Sequence, residues 1–349
     1  MNYLQWLNAT TPGVWWHDSA IPEEIDDAVS MGAKGITTNP VLTYKTLSQR
    51  KEFWENSVSS VPKSLQGSAR AEAMLKIVAT YAAAKVRHIY DETRGLHGYA
   101  FGQLNPALSG DKTELLEQGL RVASWAENVA VKVATSRAAL YVIEELAARG
   151  IAVCASLNFS VSQALAVSRA YECGLMRAKE ASIAVKPCYI VQQGGRLEDY
   201  LRDVAKDLEL YIQPEIINCA GNLVTKKSCR LFEKHGYNAV IMPAGLRGVH
   251  HLTELAGANI AASLQSRIQK MIIDADPPKV ERYQEPTDDN AAEILLKIPD
   301  FRKAYVEYAL PQDEFITFGV FQKTLSQFME TGWALLETFG SSKTSTRWF

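Results

Sequence analysis

The sequence alternates short apolar runs with segments of helical periodicity from residue 13 to residue 263. Runs rich in β-branched and aromatic residues are typical of buried strands, and apolar residues at helical spacing follow each of them. Parallel strands joined by helices alternate in this way, and eight strands indicate a single (β/α)8 barrel of the TIM type, an α/β fold. The predicted strands cover residues 13–18, 35–40, 98–106, 129–134, 151–157, 183–191, 238–242 and 259–263.

The chain changes character after the eighth predicted strand. Asp274-Ala275-Asp276-Pro277-Pro278 interrupts the pattern, and an aromatic stripe with partly helical spacing follows. We therefore predict a barrel over residues 1–275 and a C-terminal helical extension over residues 276–349. The stripe is compatible with helices that pack on the barrel or on a second subunit, so a homodimer is an open alternative. The stripe consists of Phe301, Tyr305, Tyr308, Phe315, Phe318, Phe321, Leu325 and Phe328.

Charge and composition exclude several classes of partner. The 349 residues carry a formal net charge of −2 without a long basic run, which argues against nucleic acid and anionic membranes. The N-terminus lacks the pattern of a signal peptide, and no stretch approaches the roughly 18 apolar residues of a membrane span. We therefore expect a soluble, cytoplasmic protein.

Metal and disulfide frameworks are not expected either. The five cysteines are odd in number and lack C-x-x-C spacing, which argues against disulfides and structural zinc. The neighbouring His250 and His251 point to different faces of a helix, which makes them a poor metal clamp.

The most informative single residue is Lys132, in the apolar run Val129–Ala134. Desolvating an ammonium group is costly, so a lysine inside such a strand needs an explanation. It could pair with a buried carboxylate or reach solvent from the strand end. Alternatively, burial could lower its pKa so that the neutral amine attacks a carbonyl group and forms a Schiff base.

Other polar residues lie where predicted strands end, which in a (β/α)8 barrel is the active-site face. A carboxylate there could move protons, an amide could hold a substrate oxygen, and two arginines could bind a phosphate. Glycine-rich nucleotide-binding motifs do not follow any predicted strand. The strand-end residues are Asp18, Asn39, Gln103, Lys132, Ser156, Arg196 and Arg247.

At these positions the sequence resembles the transaldolase family. Gly35-Ile36-Thr37-Thr38-Asn39-Pro40 is similar to the signature of the second strand, and Val131-Lys132-Val133 to the strand of the Schiff-base lysine. The resemblance runs from about Trp15 to Ser263 and continues more loosely to the C-terminus. Further matches are Glu144 to Ile151, Phe159-Ser160 with Gln163-Ala164, Gly195 to Asp199, Leu246-Arg247, and Glu254 to Gly257.

The resemblance implies a function as well as a barrel. It implies cleavage of a ketose phosphate through a lysine Schiff base and transfer of a dihydroxyacetone unit to an aldose phosphate. It implies sugar phosphates as ligands, no metal or organic cofactor, and a place in carbohydrate metabolism such as the pentose phosphate pathway.

The family's functional residues can be carried over by motif position. Lys132 corresponds to the nucleophile and Asp18 to the proton-transfer carboxylate. Gln103 and Ser156 stand at the catalytic-water positions, Thr38, Asn39 and Cys154 at substrate-binding positions, and Arg196 and Arg247 at the phosphate-binding positions.

Several of these positions depart from the family pattern. Gln103 replaces a glutamate and Ser156 a threonine, and the related fructose 6-phosphate aldolases also have glutamine at the first of these places. Glutamine can orient water but cannot accept and return a proton as a carboxylate does. A Schiff-base aldolase, or a transferase for another sugar, is therefore the main alternative function. A barrel that binds sugar phosphates without turnover is the third.

Three more replacements concern substrate contacts. Cys154 takes the place of an asparagine and Gly245 that of a serine, while either Lys186 or Val191 replaces another serine. If Lys186 pointed into the barrel, it would lower the pKa of Lys132 or compete with it as the nucleophile.

Overall fold

We describe residues 1–341 of the protein in a computed structural model. The last eight residues of the predicted extension, 342–349, lie outside the described residues. The described residues include seven strands, all paired in parallel. They are β1 Val14–His17, β2 Ala100–Gln103, β3 Val129–Ala134, β4 Val153–Asn158, β5 Cys188–Gln192, β6 Val240–Pro243 and β7 Ala261–Leu264.

The strand pairings form a closed ring. One sheet has the order β2-β3-β4-β5-β6, and β1 pairs with β7. Parallel bridges His17–Ile36 and Ile36–Ala100 join β1 to β2, and the bridge Ile241–Ile260 joins β6 to the residue before β7. The second strand of the barrel is thus reduced to Ile36, and the predicted (β/α)8 architecture is confirmed.

Helices surround the ring and follow the strands. Residues 106–108 and 312–314 form 3₁₀ turns, and Met329–Trp333 is π-helical. The α-helices are α1 Tyr3–Thr10, α2 Pro22–Ser30, α3 Pro40–Gln49, α4 Lys51–Ser59, α5 Gly67–Lys85, α6 Arg87–Glu92, α7 Lys112–Ala123, α8 Arg137–Ala148, α9 Val161–Glu180, α10 Gly194–Asp207, α11 Pro214–Ile217, α12 Ala220–His235, α13 His250–Thr253, α14 Ser266–Ala275, α15 Asp289–Leu295, α16 Pro299–Tyr305, α17 Gly319–Phe328 and α18 Ala334–Leu336. Within residues 1–341, the helices are too short or too polar to cross a bilayer.

Some predicted boundaries were wrong. The third predicted strand covers Ala100–Gln103 instead of residues 98–106, and the sixth begins at Cys188 instead of residue 183. After the sixth predicted strand, α10 already begins at Gly194. This start places Arg196 in the first turn of a helix.

Aromatic side chains fill the barrel interior below the strand ends. The ring of Trp16 lies 5.3 Å from that of Phe101 and 4.7 Å from that of Tyr189, between centroids. Gly35 makes room for this packing, since a Cβ atom there would lie 2.5 Å from the Trp16 ring. The packed base restricts any internal cavity to the C-terminal ends of the strands.

The aromatic stripe of the C-terminal segment is largely buried within this one chain. Phe301, Phe315 and Phe321 are at most 1% exposed, whereas Tyr308 is 56% exposed. The π-helical segment packs on α3, where a Cβ on Gly332 would lie 2.7 Å from the Val41 nitrogen. The segment after residue 311 therefore lies over the barrel mouth, while the domain division at residue 275 stays a prediction.

Candidate active site

A cavity of about 220 Å3 opens at the C-terminal ends of the strands. This volume is below the roughly 300–1,000 Å3 of drug-sized ligand sites and suits a small metabolite. Its polar lining residues are Asp18, Thr37, Asn39, Lys132, Gln193, Arg196, Ser263, Gln265 and Gln327. Its apolar lining residues are Val41, Leu42, Val191, Met242, Ala244 and Phe328.

The cavity floor carries the amine of Lys132. This side chain is 5% exposed and donates a hydrogen bond of 2.9 Å from Nζ to the carbonyl oxygen of Thr38. Strand alternation turns Lys132 into the barrel while Val131 and Val133 pack outward against the helices. Among the described residues, no carboxylate lies within ion-pair distance of Nζ, so the structure does not support a buried ion pair.

Burial sets the protonation behaviour of this amine. Desolvation lowers the pKa of Lys132, and the nearby charge of Arg196 acts in the same direction. Asp18 opposes the shift, and so does the ring of Phe101, whose centroid lies 5.6 Å from Nζ. At a given pH, the fraction of Lys132 that is a neutral, nucleophilic amine is therefore larger than that of an exposed lysine.

Asp18 directly follows β1 and lines the cavity. Thr37 fixes its orientation by donating a 2.7 Å hydrogen bond from Oγ1 to Oδ1 of Asp18. The same hydroxyl lies 2.8 Å from Oγ of Ser263, at the end of β7. The carboxylate is thus oriented by Thr37, which in turn contacts β7, while it remains open to the cavity, as a proton-transfer group requires.

The segment after Ile36 supplies the next contacts. Asn39 caps α3 by accepting a 3.0 Å hydrogen bond from the Leu42 nitrogen, which leaves its amide NH2 for a ligand. Thr38 was predicted to bind substrate, but its hydroxyl donates to the Phe101 carbonyl oxygen. Thr37 lines the cavity instead.

Three predicted residues flank Lys132 on neighbouring strands. Gln103 and Cys154 are its register partners on β2 and β4, and Ser156 pairs with Ala134 at the end of β3. Gln103 donates a 3.2 Å hydrogen bond to the Lys132 carbonyl oxygen. Its Oε1 atom is buried and has no hydrogen-bond partner within residues 1–341. Gln103, Cys154 and Ser156 lie beside Lys132 but are not among the residues that line the cavity.

Arg196 is the cation at the upper side of the cavity. Its Nη1 atom donates a 2.6 Å hydrogen bond to Oε1 of Gln327, and its guanidinium lies 5.8 Å from the Phe328 ring centroid. Desolvation and the charge of Arg247 lower the pKa of Arg196. Within residues 1–341 it forms no ion pair, so an anion in the cavity would find its charge uncompensated.

Arg247 lies beside Arg196 but is already engaged. Its Nε and Nη2 atoms donate to Oδ2 of Asp199 at 2.9 and 2.7 Å, and Nη1 donates to the Gly245 carbonyl oxygen at 2.7 Å. The structure does not place Arg247 among the residues that line the cavity. Arg247 therefore adds positive potential beside the cavity, with Asp199 competing for its donors.

The structure resolves the ambiguity of the sixth strand. Lys186 precedes β5, donates a 3.1 Å hydrogen bond to the Glu127 carbonyl oxygen and lies near the Tyr90 ring. It is therefore at the N-terminal side of the barrel, and Val191 is the residue that lines the cavity. Gly245 has a φ of +62°, a left-handed conformation in which serine would be strained.

A group of possible metal ligands occurs behind the arginines. Donor atoms of Glu198, His250 and His251 lie within 4.8 Å of one another. Both carboxylate oxygens of Glu198 already bind Nε2 of His251 at 3.0 and 3.1 Å, and both side chains are 1% exposed. This pair also holds the Gly221 nitrogen, so it braces α10 against α12.

Sequence reasoning missed several cavity residues. Ser263 ends the eighth predicted strand, so the strand-end rule could have identified it. Gln327 and Phe328 reach the site only through the packing of the C-terminal segment, for which local sequence gives no signal.

A nucleophilic amine, a carboxylate and an unpaired guanidinium around one small cavity define an aldolase type of site. The amine can form an iminium with a carbonyl group, the carboxylate can move a hydroxyl proton, and the guanidinium can hold an anion. A larger groove of about 750 Å3 lies outside the barrel, but its Glu72 and Arg121 pair with each other.

Comparisons with known proteins agree with this assignment. Residues 15–311 match the family model described as transaldolase/fructose-6-phosphate aldolase, and the chain belongs to this family. A probable transaldolase 2 of Listeria monocytogenes is 30% identical over 166 residues, which are 47% of this chain and 61% of that protein. The probable transaldolases of Lactiplantibacillus plantarum and Herpetosiphon aurantiacus are 25% and 23% identical, over 70% and 83% of this chain and 82% and 98% of theirs.

Proposed function

We propose that the protein is a transaldolase-like enzyme that transfers a dihydroxyacetone unit from a ketose phosphate to an aldose phosphate. The buried amine of Lys132, which opens into the cavity that also holds Asp18, is the observation that carries this proposal. Family membership and the names of the relatives support the same activity.

In the proposed reaction, neutral Lys132 attacks the ketone carbon, and the resulting carbinolamine takes up one proton from solvent and loses water, which gives an iminium. Asp18 takes the proton of the hydroxyl group on the second carbon from the iminium carbon. The bond that joins this hydroxyl-bearing carbon to the carbon next to the iminium then breaks. The electron pair moves into the iminium to give an enamine, and an aldehyde departs. The enamine carbon then bonds to the acceptor aldehyde, Asp18 returns its proton to the new alkoxide, and water hydrolyses the iminium.

Asn39 and Arg196 bind and orient the substrate in this scheme. The Asn39 amide donates to a substrate oxygen near the reacting carbons, and the guanidinium of Arg196 holds the phosphate. We further propose a cytoplasmic protein, for which no anionic-membrane or nucleic-acid contact is expected from its charge. A homodimer stays a prediction.

Transfer can be tested with a ketose phosphate donor and a panel of aldose phosphates. The expected result is a new ketose phosphate whose three-carbon unit comes from the donor, followed with isotope-labelled donor. Release of labelled dihydroxyacetone without transfer would identify the alternative, a Schiff-base aldolase. Gln103 is the observation that favours this alternative, since an amide stands beside Lys132 where transaldolases carry a carboxylate.

Arg196→Ala should weaken binding of phosphorylated substrates. The guanidinium contributes one or two charge-assisted hydrogen bonds to a bound phosphate, so KM should rise about 10- to 100-fold with little change in kcat. Arg247→Ala should raise KM less, because Asp199 already occupies its donors.

Steady-state kinetics with phosphorylated and unphosphorylated ketoses checks this prediction. Arg121→Ala, which removes an exposed arginine from the outer groove, is the control and should leave KM unchanged. The wild type and Arg196→Ala are each compared on phosphorylated and unphosphorylated ketoses. If KM were the same for the two kinds of ketose in both proteins, Arg196 would not bind phosphate.

Gln103→Glu should shift the reaction from release towards transfer. The amide can only orient water, whereas a buried carboxylate in its place could exchange protons with water and would stabilise the neighbouring iminium electrostatically. The measurement is the ratio of free dihydroxyacetone to transfer product at fixed acceptor concentration. Gln103→Met, which removes the amide without adding charge, is the control; the same ratio in wild type and Gln103→Glu would refute this role.

A further inference from the structure

Two neighbouring arginines beside the cavity are held in different ways. Arg247 is paired with the carboxylate of Asp199, which compensates its charge. Arg196 lines the cavity, and its partner among the described residues is the neutral amide of Gln327, which accepts a 2.6 Å hydrogen bond from Nη1. An amide oxygen can orient a guanidinium without cancelling its charge, whereas a carboxylate does both. The positive charge that the cavity offers to an anion is therefore the one that Gln327 holds.

The packing of α17 on α10 brings this amide to the cavity. Gly319, Lys323 and Gln327 are spaced four residues apart, so they share one face of α17. Gly319 leaves no room for a side chain against the hydroxyl of Tyr200, which is on α10. Lys323 Nζ binds Oδ2 of Asp203, also on α10, at 2.6 Å. Two contacts of one face of α17 with α10 thus accompany the third, which Gln327 makes.

The same segment is fixed at a second helix of the site. After α17, the π-helical residues Met329–Trp333 pack on α3, and a Cβ on Gly332 would lie 2.7 Å from the Val41 nitrogen. Asn39 caps this helix and lines the cavity. The C-terminal segment therefore extends from the helix that carries Arg196 to the helix that Asn39 caps.

The bond to Gln327 leaves part of the guanidinium free for a ligand. It engages Nη1, and within residues 1–341 the Nε and Nη2 atoms of Arg196 form no hydrogen bond. These two atoms present parallel N–H groups, which can bind two oxygens of one phosphate side by side. The guanidinium also lies over the ring of Phe328, 5.8 Å from its centroid. An anion could therefore bind Arg196 without displacing Gln327.

We propose that Gln327 is a positioning residue of the active site: its amide orients the Arg196 guanidinium for a phosphate and leaves the charge uncompensated. This inference rests on the proposed function and specifies how the enzyme recognises phosphorylated ketoses. A carboxylate in this place would pair with Arg196 and repel the phosphate. An apolar side chain would leave the guanidinium free to turn.

Two substitutions of Gln327 test the inference by steady-state kinetics with D-fructose 6-phosphate and D-fructose, with an acceptor aldehyde present. Gln327→Met keeps the length of the side chain but removes the acceptor, so KM for fructose 6-phosphate should rise about 3- to 10-fold, the scale of one hydrogen bond. Gln327→Glu should raise this KM further, to more than about tenfold above that of the wild type, because the added charge repels the phosphate. Neither substitution should change kcat, or kcat/KM for fructose.

A double-mutant cycle shows whether Gln327 acts through Arg196. Adding Gln327→Met to Arg196→Ala should not raise KM for fructose 6-phosphate further, because the partner is already absent. Gln322→Glu is the matched control, since it adds the same charge to α17 at an exposed residue that does not line the cavity. This control should leave KM for both ketoses unchanged.

Three results would overturn the proposal. The first is an unchanged KM for fructose 6-phosphate in Gln327→Met and Gln327→Glu. The second is an equal rise of KM on adding Gln327→Met to the wild type and to Arg196→Ala, which would make Gln327 a ligand of the substrate in its own right. The third is an equal loss of kcat/KM for fructose and fructose 6-phosphate, which would indicate damage to the fold.

Borohydride trapping with dihydroxyacetone, which carries no phosphate, separates this inference from the proposed function. Trapping by the wild type, together with a KM that does not respond to Gln327, would refute the positioning role and leave the Schiff-base function standing. Absence of trapping by the wild type with both dihydroxyacetone and fructose 6-phosphate would refute the proposed function, and this inference with it.

Discussion

Replacing Lys132 with alanine or methionine is expected to lower turnover by roughly 10⁴- to 10⁶-fold, the scale of losses when a covalent nucleophile is removed. The amine supplies the electron sink of the reaction, and no other lysine lines the cavity in the part of the chain that the structure describes. Methionine keeps the volume of the side chain and removes a buried polar group, so the melting temperature should not fall. Rate measurements on ketose phosphates and thermal unfolding check the two parts separately.

Lys186→Met is the matched control for this experiment. Lys186 lies at the opposite side of the barrel, bonded to the Glu127 carbonyl oxygen, and the variant should keep its activity. Full activity in Lys132→Met together with loss in Lys186→Met would reverse the assignment. In the wild type, the pKa of Lys132 is lowered by burial. The rate of iminium formation should therefore reach its high-pH plateau at a lower pH than for an exposed lysine, whose pKa is near 10.4.

Replacing Asp18 with asparagine is expected to lower kcat by about 10²- to 10⁴-fold, the usual contribution of general acid–base catalysis. Asparagine has the same shape and can still accept the hydrogen bond from Thr37, but it cannot take the hydroxyl proton. The iminium should still form, so borohydride should still label the Asp18→Asn protein with substrate while aldehyde release is slow.

The split between labelling and cleavage distinguishes this role from a structural one. Asp27→Asn changes an exposed carboxylate on α2 and should affect neither measurement. Normal cleavage by Asp18→Asn would show that another group moves the proton.

Much of the barrel could be predicted from sequence because strands and helices differ in their apolar periodicity. The strand-end rule also located Asp18, Asn39 and Lys132 at one cavity, as the structure places them. The reduction of the second strand to Ile36 could not be predicted, since it depends on bridges to His17 and Ala100, which lie far from Ile36 in the sequence.

Long-range contacts explain what the sequence did not reveal about the site. Gln327 binds Arg196 across 131 residues of chain, and this contact exists only after the C-terminal segment has packed on the barrel. Likewise, Arg247 was expected to be available to a phosphate, but its pairing with Asp199 depends on the relative positions of α10 and the loop after β6. The functional roles assigned to these residues stay predictions.

The proposed function requires that Lys132 forms a Schiff base with a ketose. Borohydride reduction in the presence of dihydroxyacetone or D-fructose 6-phosphate, followed by peptide mass spectrometry, tests it most directly. We expect a stable adduct on the peptide that contains Lys132, which should be absent without ketose and absent in Lys132→Met. An adduct on Lys186, or an unlabelled Lys132 in a protein that is turning over ketose, would contradict it.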